Sequence, residues 1–317
     1  MTTVAVLAGG VGAARLLTGM VRAVPPAGVT AVVNVGDDMV MHGLAISPDL
    51  DTVVYTVAGA IDPERGWGLR DESWQAMATL ERYGGESWFG LGDRDLGTHL
   101  FRTARLAAGA PLSAVTAEIA AGWGLEMAVL PVTDDPVRTR LTLAAGEEGE
   151  EGEEGEEIAF QDYFVRRRHE VAVAAVRFAG AAAARPAPGV LEALGAADAV
   201  VVAPSNPIVS IAPVMAVPGV REAVEARRSS VVAISPLVGG QALKGPADRL
   251  MRELGHEDSV VGVARLYAPF AGTLVIDEVD AAHADAVRAA GLRCVVTDTI
   301  MRDPAAAAAL SRVALGR

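Results

Sequence analysis

The run Ala199-Val200-Val201-Val202-Ala203 contains no polar side chain. A strand that is apolar on both of its faces needs cover above and below. Such runs belong to the interior of parallel sheets, where crossover helices supply that cover. Thr3–Leu7, the run from about Thr30 to Val33, and Ser229–Ile234 repeat the plan, and Ser259–Val263, Thr273–Asp277 and Arg293–Val296 read as further short strands. Helical stretches lie between several of them, among them one from Ala8 to about Ala23, one over 52–60, and an alanine-rich tail from Pro304 to Leu315. The expectation is an α/β fold: a doubly wound, mostly parallel, Rossmann-like sheet. It forms a single domain over 1–317, carrying a smaller helical and β-hairpin insertion at about 62–175.

In open α/β sheets, ligands sit beyond the carboxyl ends of the strands. Just past the second strand comes Asn34-Val35-Gly36-Asp37-Asp38, then Ser47-Pro48-Asp49-Leu50-Asp51-Thr52. One aspartate there serves as a turn former, since its side chain bonds the local backbone. Four within fifteen residues repel one another and point to a divalent cation, a polar ligand, or both. Mg²⁺ suits the position, because it takes one or two protein carboxylates along with substrate phosphate oxygens. Asp37 and Asp38 are the candidate metal ligands.

The first strand runs into Ala8-Gly9-Gly10-Val11-Gly12-Ala13-Ala14-Arg15, a glycine turn opening a helix. Such a turn lets backbone approach a phosphate, and the helix start adds free N–H groups and a favourable dipole. Arg15 stands where a dinucleotide fingerprint has a small residue, and no P-loop lysine follows, so this is a phosphate or nucleotide cradle of another kind. The turns Pro204-Ser205-Asn206-Pro207 and Ser235-Pro236-Leu237-Val238-Gly239-Gly240 end two further strands. Convergence of the three loops on one sheet edge makes a nucleotide-sized cleft.

Between the aspartates and the later strands, Glu72–Tyr83 reads as an amphipathic helix capped by Asp71, and Leu112–Gly122 as another helix. Trp67 sits in a glycine-rich turn, where it either packs or stacks on a flat ligand. In Leu91-Gly92-Asp93-Arg94-Asp95, Asp95 is the expected cap of a helix running from Leu96 to Ala108. Arg94 projects from the loop, either as an ion-pair scaffold or as a clamp on a phosphate or ring carbonyl. His99 follows one turn into the helix, as a packing or a catalytic group. Met127–Val132 and Arg138–Leu143 flank Thr133-Asp134-Asp135-Pro136 as a hairpin, and Glu157–Phe164 resumes extended structure.

Bulk properties narrow the function classes. The formal charge is −13; without the eight glutamates between Gly146 and Glu157 it falls to −5. That run is low in complexity and self-repelling, as solvated loops are, and Arg166-Arg167-Arg168 is a basic cluster able to face it. An acidic body argues against a nucleic-acid surface. No apolar run reaches membrane-spanning length, and the N-terminus lacks a signal-like core, so a cytoplasmic protein is expected. The single cysteine, Cys294, excludes an intrachain disulfide and reads as a small buried hydrophobe on a late strand.

Taken together, Leu7–Gly12, Asn34–Asp38, Ser47–Thr52, Trp67-Gly68, Leu91–Asp95 with Thr98-His99, Asp134-Asp135, Phe160–Asp162 and Pro204–Pro207 resemble, in motif and order, the 2-phospho-L-lactate transferase family of coenzyme F-420 biosynthesis. The Ser-Pro-Asp-Leu-Asp-Thr and Gly-Asp-Arg-Asp blocks are specific in combination; the glycine loop and Ser-Asn-Pro turn are shared with relatives. The resemblance implies a Mg²⁺-dependent transferase. Its donor is a guanosine-diphosphate-activated phospholactate or phosphoenolpyruvate, its acceptor the ribityl hydroxyl of the deazaflavin Fo, and GMP leaves. Carried over by motif, Asp37, Asp51 and Arg94 are the catalytic candidates, with Asp51 and Arg94 contacting the deazaflavin. Gly10, Gly12, Asn34, Ser205, Asn206 and Pro207 serve the nucleotide, Asp37 and Asp38 the metal. A homodimer is expected. A non-catalytic nucleotide-sugar-binding regulatory protein of the same superfamily shares the glycine loop and Ser-Asn-Pro turn, but has no evident need for the Ser47–Thr52 and Gly92–Asp95 blocks. A nicotinamide dehydrogenase rests on the glycines alone.

Overall fold

The computed structural model describes residues 2–144 and 155–317; most of the glutamate-rich run, expected as a solvated loop, lies outside the described residues. The central sheet has seven parallel strands: β1 (Val4–Ala8), β2 (Val29–Val33), β3 (Ala128–Pro131), β4 (Ala199–Val202), β5 (Val231–Ile234), β6 (Thr273–Ile276) and β7 (Arg293–Val296). Their spatial order is β7-β6-β5-β4-β1-β2-β3. β1 lies between β2 and β4, with Val4 level with both Val29 and Ala199. The chain winds outward from β1 to one side through β2 and to the other through β4. The β1–β4 boundary is therefore the topological switch point, and the loops after those two strands open a crevice there.

Helices cover the sheet. α1 (Gly10–Ala23) follows β1, and α2 (Pro48–Val57) begins at the second aspartate block. α3 (Gln75–Arg82), α4 (Asp95–Ala107) and α5 (Leu112–Gly122) precede β3. α6 (Val260–Tyr267) precedes β6, and the tail forms α7 (Pro304–Ala314). α7 lies on α1, where a Cβ on Gly19 would run into the backbone of Ala307. Among the described residues, no helix is long and apolar enough to cross a membrane.

Several expectations change, each for a local reason. Ser259–Val263 is helical: Ser259 Oγ accepts the N–H groups of Val261 and Gly262 and starts α6. A short apolar run has no periodicity to separate a buried strand from a buried helix. The expected hairpin over 127–143 is absent, because β3 joins the main sheet beside β2 while Arg138–Leu143 pairs with Glu157–Ala159 and Val173–Ala179 in a separate antiparallel sheet. Asp134, in the turn between them, binds the Ser113 N–H and hydroxyl at the start of α5. The extended run from Glu157 stops at Ala159 and gives way to a π-helical turn, Asp162–Arg166. α2 starts earlier than expected because Pro48, with its fixed φ, suits a first helical position.

The caps are exchanged between neighbouring loops. Asp71 stands at φ 55° and caps nothing; Asp93 accepts the N–H groups of Gln75 and Ala76 at 3.0 Å each and begins α3 instead. Glu72 returns the favour, accepting the N–H groups of Arg94 at 2.7 Å and Asp95 at 2.9 Å. Asp95 is thereby released from capping. Arg167 reaches Glu156, at the end of the acidic run, at 3.0 Å. Cys294 is on β7 and only half-buried.

Candidate active site

The crevice at the switch point is a cleft of about 510 Å³. Its floor is the loop after β1. Gly10 has φ +70° and faces open space, while a Cβ on Gly12 would strike the carbonyl of Pro204. Those two positions, one needing a left-handed backbone and the other contact with the β4 loop, explain the glycines. Ser205 fastens the loops together by donating its hydroxyl to Gly9 O at 2.7 Å. Asn206 accepts the Ile208 N–H at 2.9 Å and caps the π-helical turn Pro207–Ile211. Ser205 and Asn206 line the cleft; Pro207 is buried behind it. Asn34 is fully buried and acts as a spacer: its amide donates to Asp49 Oδ2 at 2.9 Å and its oxygen accepts the Gly36 N–H at 2.7 Å.

The four aspartates are all buried, yet they divide. Asp37 and Asp49 line the cleft. Asp49 is satisfied, its Oδ1 accepting the Gly10 N–H at 2.9 Å. Asp37 Oδ1 has no hydrogen-bond partner. Burial, joined by the charge of Asp49, pushes the Asp37 carboxyl well above the ordinary carboxylate range. Burial likewise lifts Asp49 to about 6, against hydrogen bonds from Asn34 and Gly10 that work to lower it. Asp38 lies outside the cleft lining: its Oδ2 accepts the Ser47 hydroxyl at 2.8 Å, its Oδ1 is unpartnered, and burial pushes it up to about 7.

Asp51 faces the other way, toward α4. Residues two apart on a helix do not share a face, so Asp49 points at the glycine loop and Asp51 at Arg102. Asp51 Oδ1 accepts the guanidinium of Arg102, and Asp51 Oδ2 is buried without a hydrogen-bond partner. Burial raises the Asp51 carboxyl, with the charge of the Arg102 guanidinium opposing. Arg102 Nη1 lies 3.2 Å from His99 Nδ1. A guanidinium only donates, so Nδ1 accepts and the ring proton sits on Nε2, which faces Asp95 Oδ2 at 3.3 Å. Tyr55 closes the chain by donating to Asp95 Oδ1 at 2.6 Å. Burial works to raise the Asp95 carboxyl, but the neighbouring His99 ring and the Tyr55 hydroxyl outweigh it and leave it below the usual value.

Asp51, Asp95 and His99 each offer an atom within 4.8 Å of the others, close enough for a metal. The Arg102 guanidinium already holds one Asp51 oxygen and the His99 lone pair, so this trio closes on an arginine. Arg94 is exposed and lies outside the cleft lining; its Nη1 donates to Arg70 O at 2.7 Å.

Sequence reasoning passed over much of the cleft wall. Arg15, Arg65, Lys244 and Arg302 line it, as do Phe89 and Phe164, beside Trp67, expected as a packing or stacking residue, and Phe160 of the Phe-Gln-Asp motif. Arg15 counts against a dinucleotide fingerprint, but its place in the first turns of α1 puts it on the wall. It makes no ion pair among the described residues, and neither does Lys244. Burial, then the charge of Arg15, holds the Lys244 ammonium below its ordinary value. Arg65 stacks on Trp67 and Trp74, 5.5 and 5.1 Å from their ring centres. Phe160 and Phe164 stack on one another at 5.4 Å, their spacing of four set by the π-helical turn. Phe160-Gln161-Asp162 is the sequence signal for that wall. Nothing short of the fold brings Lys244 to it.

The family described as 2-phospho-L-lactate transferase CofD matches residues 4–312. The chain belongs to this family. It is 46% identical to the phosphoenolpyruvate transferase of Streptomyces griseus over 98% of this chain and 97% of that protein. It is 44% identical to the one of Streptomyces coelicolor, with the same coverage. It is 40% identical to the one of Mycolicibacterium smegmatis, over 98% and 97%. Among solved structures, a UPF0052 family member from Bacillus halodurans superposes with a TM-score of 0.61 at 17% identity, covering 99% of this chain and 98% of that one. That likeness shows the shared fold. Family membership makes the chain a transferase, and the cleft is where such chemistry has room.

Proposed function

We propose that this chain transfers the enolpyruvyl-phosphate unit of guanosine-diphosphate-activated phosphoenolpyruvate to the ribityl hydroxyl of the deazaflavin Fo, releasing GMP, in coenzyme F-420 biosynthesis. The phospholactyl donor differs by two hydrogens. Relatives 40–46% identical over nearly the whole chain are named phosphoenolpyruvate transferases, which favours the enolpyruvyl form.

One observation carries the reading. The cleft sets anion-binding groups, namely the start of α1 with Arg15 and Lys244, against a buried carboxylate, Asp37, that has an unengaged oxygen. A nucleoside diphosphate satisfies the first set, and a hard cation between diphosphate and carboxylate satisfies the second. The residues fit Mg²⁺: the donors are carboxylate oxygens, and one oxygen each of Asp37 and Asp38, Oδ1, is without a partner. Asp37 would hold it, with Asp49 or Asp38 adjacent. When bound, Mg²⁺ neutralises charge on the diphosphate.

The protein's part is then positioning and electrostatics, as in phosphoryl transfer generally. The N–H groups of the glycine loop and the two free cations hold the diphosphate. Trp67 and the Phe160–Phe164 stack offer flat faces to the rings. A carboxylate of the Asp49/Asp51 pair orients the acceptor hydroxyl and takes its proton. The hydroxyl oxygen bonds to the phosphorus that carries the enolpyruvyl group, and the bond from that phosphorus to GMP breaks.

Purified protein with Mg²⁺, Fo and each guanylylated donor supplied separately, read by mass spectrometry, tests the proposal. Enolpyruvyl-phospho-Fo with stoichiometric GMP is expected. If neither donor reacts while guanosine diphosphate or a nucleotide-sugar binds tightly, the cleft belongs to a non-catalytic nucleotide binder.

A further inference from the structure

Of the buried chain Asp51–Arg102–His99–Asp95–Tyr55, only Asp51 has a task in the chemistry above. Arg102 and His99 are each 1% exposed, and an arginine is rarely taken so completely out of water. Burying it serves packing poorly, because desolvation offsets much of the ion-pair attraction and well-packed apolar residues often do as well. The geometry also does more than pair two charges. One edge of the guanidinium fork holds Asp51 Oδ1, the other holds His99 Nδ1, and His99 is fixed in turn by Asp95. Asp95 is free to do this because Glu72 has taken over its capping role. The result is a carboxylate with one oxygen held by Arg102 and the other, Oδ2, buried without a hydrogen-bond partner, 3.8 Å from His99 Nδ1.

We propose that Arg102 and His99 are positioning residues for the transfer: they hold the Asp51 carboxylate in the single orientation that its role toward the acceptor hydroxyl requires. The inference rests on the reading that Asp51 contacts the acceptor. It also gives Asp51 a basic partner other than Arg94, whose guanidinium lies on the surface and binds the Arg70 carbonyl. Neither residue touches substrate. Both act through Asp51, so their effects are not independent of it.

The test is a double-variant cycle with Fo and the reactive donor. Arg102→Lys and His99→Asn are each made in the native chain and with Asp51→Asn, with thermal melting to establish folding and divalent-metal content measured on the native protein. Arg102→Lys keeps the charge and loses the fork. Misplacement of a catalytic group by about 1 Å lowers turnover roughly 100-fold, and that is the expected fall in kcat, with the donor KM within about twofold. His99→Asn keeps an acceptor for Arg102 and is expected to lose about tenfold. With Asp51→Asn already present, neither should lower kcat further, since groups acting as a unit are non-additive.

Four results would overturn the proposal. If Asp51→Asn is inactive while folded Arg102→Lys and His99→Asn turn over normally, Asp51 needs no relay and only this inference fails. If the losses multiply, Arg102 acts on its own. A stoichiometric metal that His99→Asn releases while Asp37→Asn retains it would make the trio a metal site. If Asp51→Asn itself keeps full turnover, the underlying reading of Asp51 fails first, and the relay with it. Should Arg102→Lys not fold, His99→Asn alone decides.

Discussion

Asp49 and Asp51 stand two residues apart in the first turn of one helix, and the fold gives them opposite surroundings. Asp49 borders the cleft and is held by the Gly10 N–H and the Asn34 amide, neutral donors on the glycine-loop side. Asp51 is held by a buried guanidinium on the far side, within a chain of ionisable groups. The difference teaches that a run of aspartates in sequence need not be one site. Helical geometry separates the two by more than half a turn, so the block can serve two ligands at once.

The comparison can be broken most forcefully at Arg102. Arg102→Met leaves Asp51 buried without its counter-charge, and removing one partner of a buried ion pair costs about 3–5 kcal/mol; denaturant unfolding should show it. Asp49→Asn keeps the shape and removes a charge whose partners are neutral, so a loss of about 1 kcal/mol is expected in the same measurement. Equal losses at the two positions would erase the distinction.

Proton linkage sharpens the contrast. Asp38 and Asp49 have folded-state values of about 7 and about 6 against an ordinary 3.8. Between those limits the folded state binds more protons than the unfolded chain. Their contribution to stability is therefore full below the ordinary value and is lost as pH rises through 6 and then 7. Metal-free protein should melt at a lower temperature at pH 8 than at pH 5, and Mg²⁺ should narrow the gap by taking the place of the protons. A melting temperature that climbs from pH 5 to pH 8 without metal would contradict these environments.

The smallest expected effect is at Arg94. Its side chain is exposed, so Arg94→Ala should change stability by no more than about 0.5 kcal/mol. Its motif-based role predicts a raised KM for Fo. If that KM is unchanged as well, the role falls.

Much of this arrangement was legible before folding. Continuous apolar runs ending in small residues gave the parallel sheet, and the glycines and Ser205-Asn206 gave the switch-point loops, because both signals are local. Ser259–Val263 was misread because a short apolar run carries no period, and only the cap from Ser259 decides it. The hairpin over 127–143 was misread because two neighbouring strands can join different sheets. Arg102 was invisible because its meaning depends on α4 lying beside α2; the loop after β5 was expected at the cleft, but not that Lys244 within it would line the wall. The spacing of Asp49 and Asp51 was in plain view; that they part company follows only once α2 is known to begin at Pro48.

The most direct test of that division is calorimetric titration of guanosine diphosphate with Mg²⁺, and separately of Fo, into Asp49→Asn and Asp51→Asn. Asp49→Asn should weaken the nucleotide and leave Fo near its native affinity; Asp51→Asn should do the reverse. If both substitutions weaken the same ligand, the two carboxylates form one site and the division is wrong.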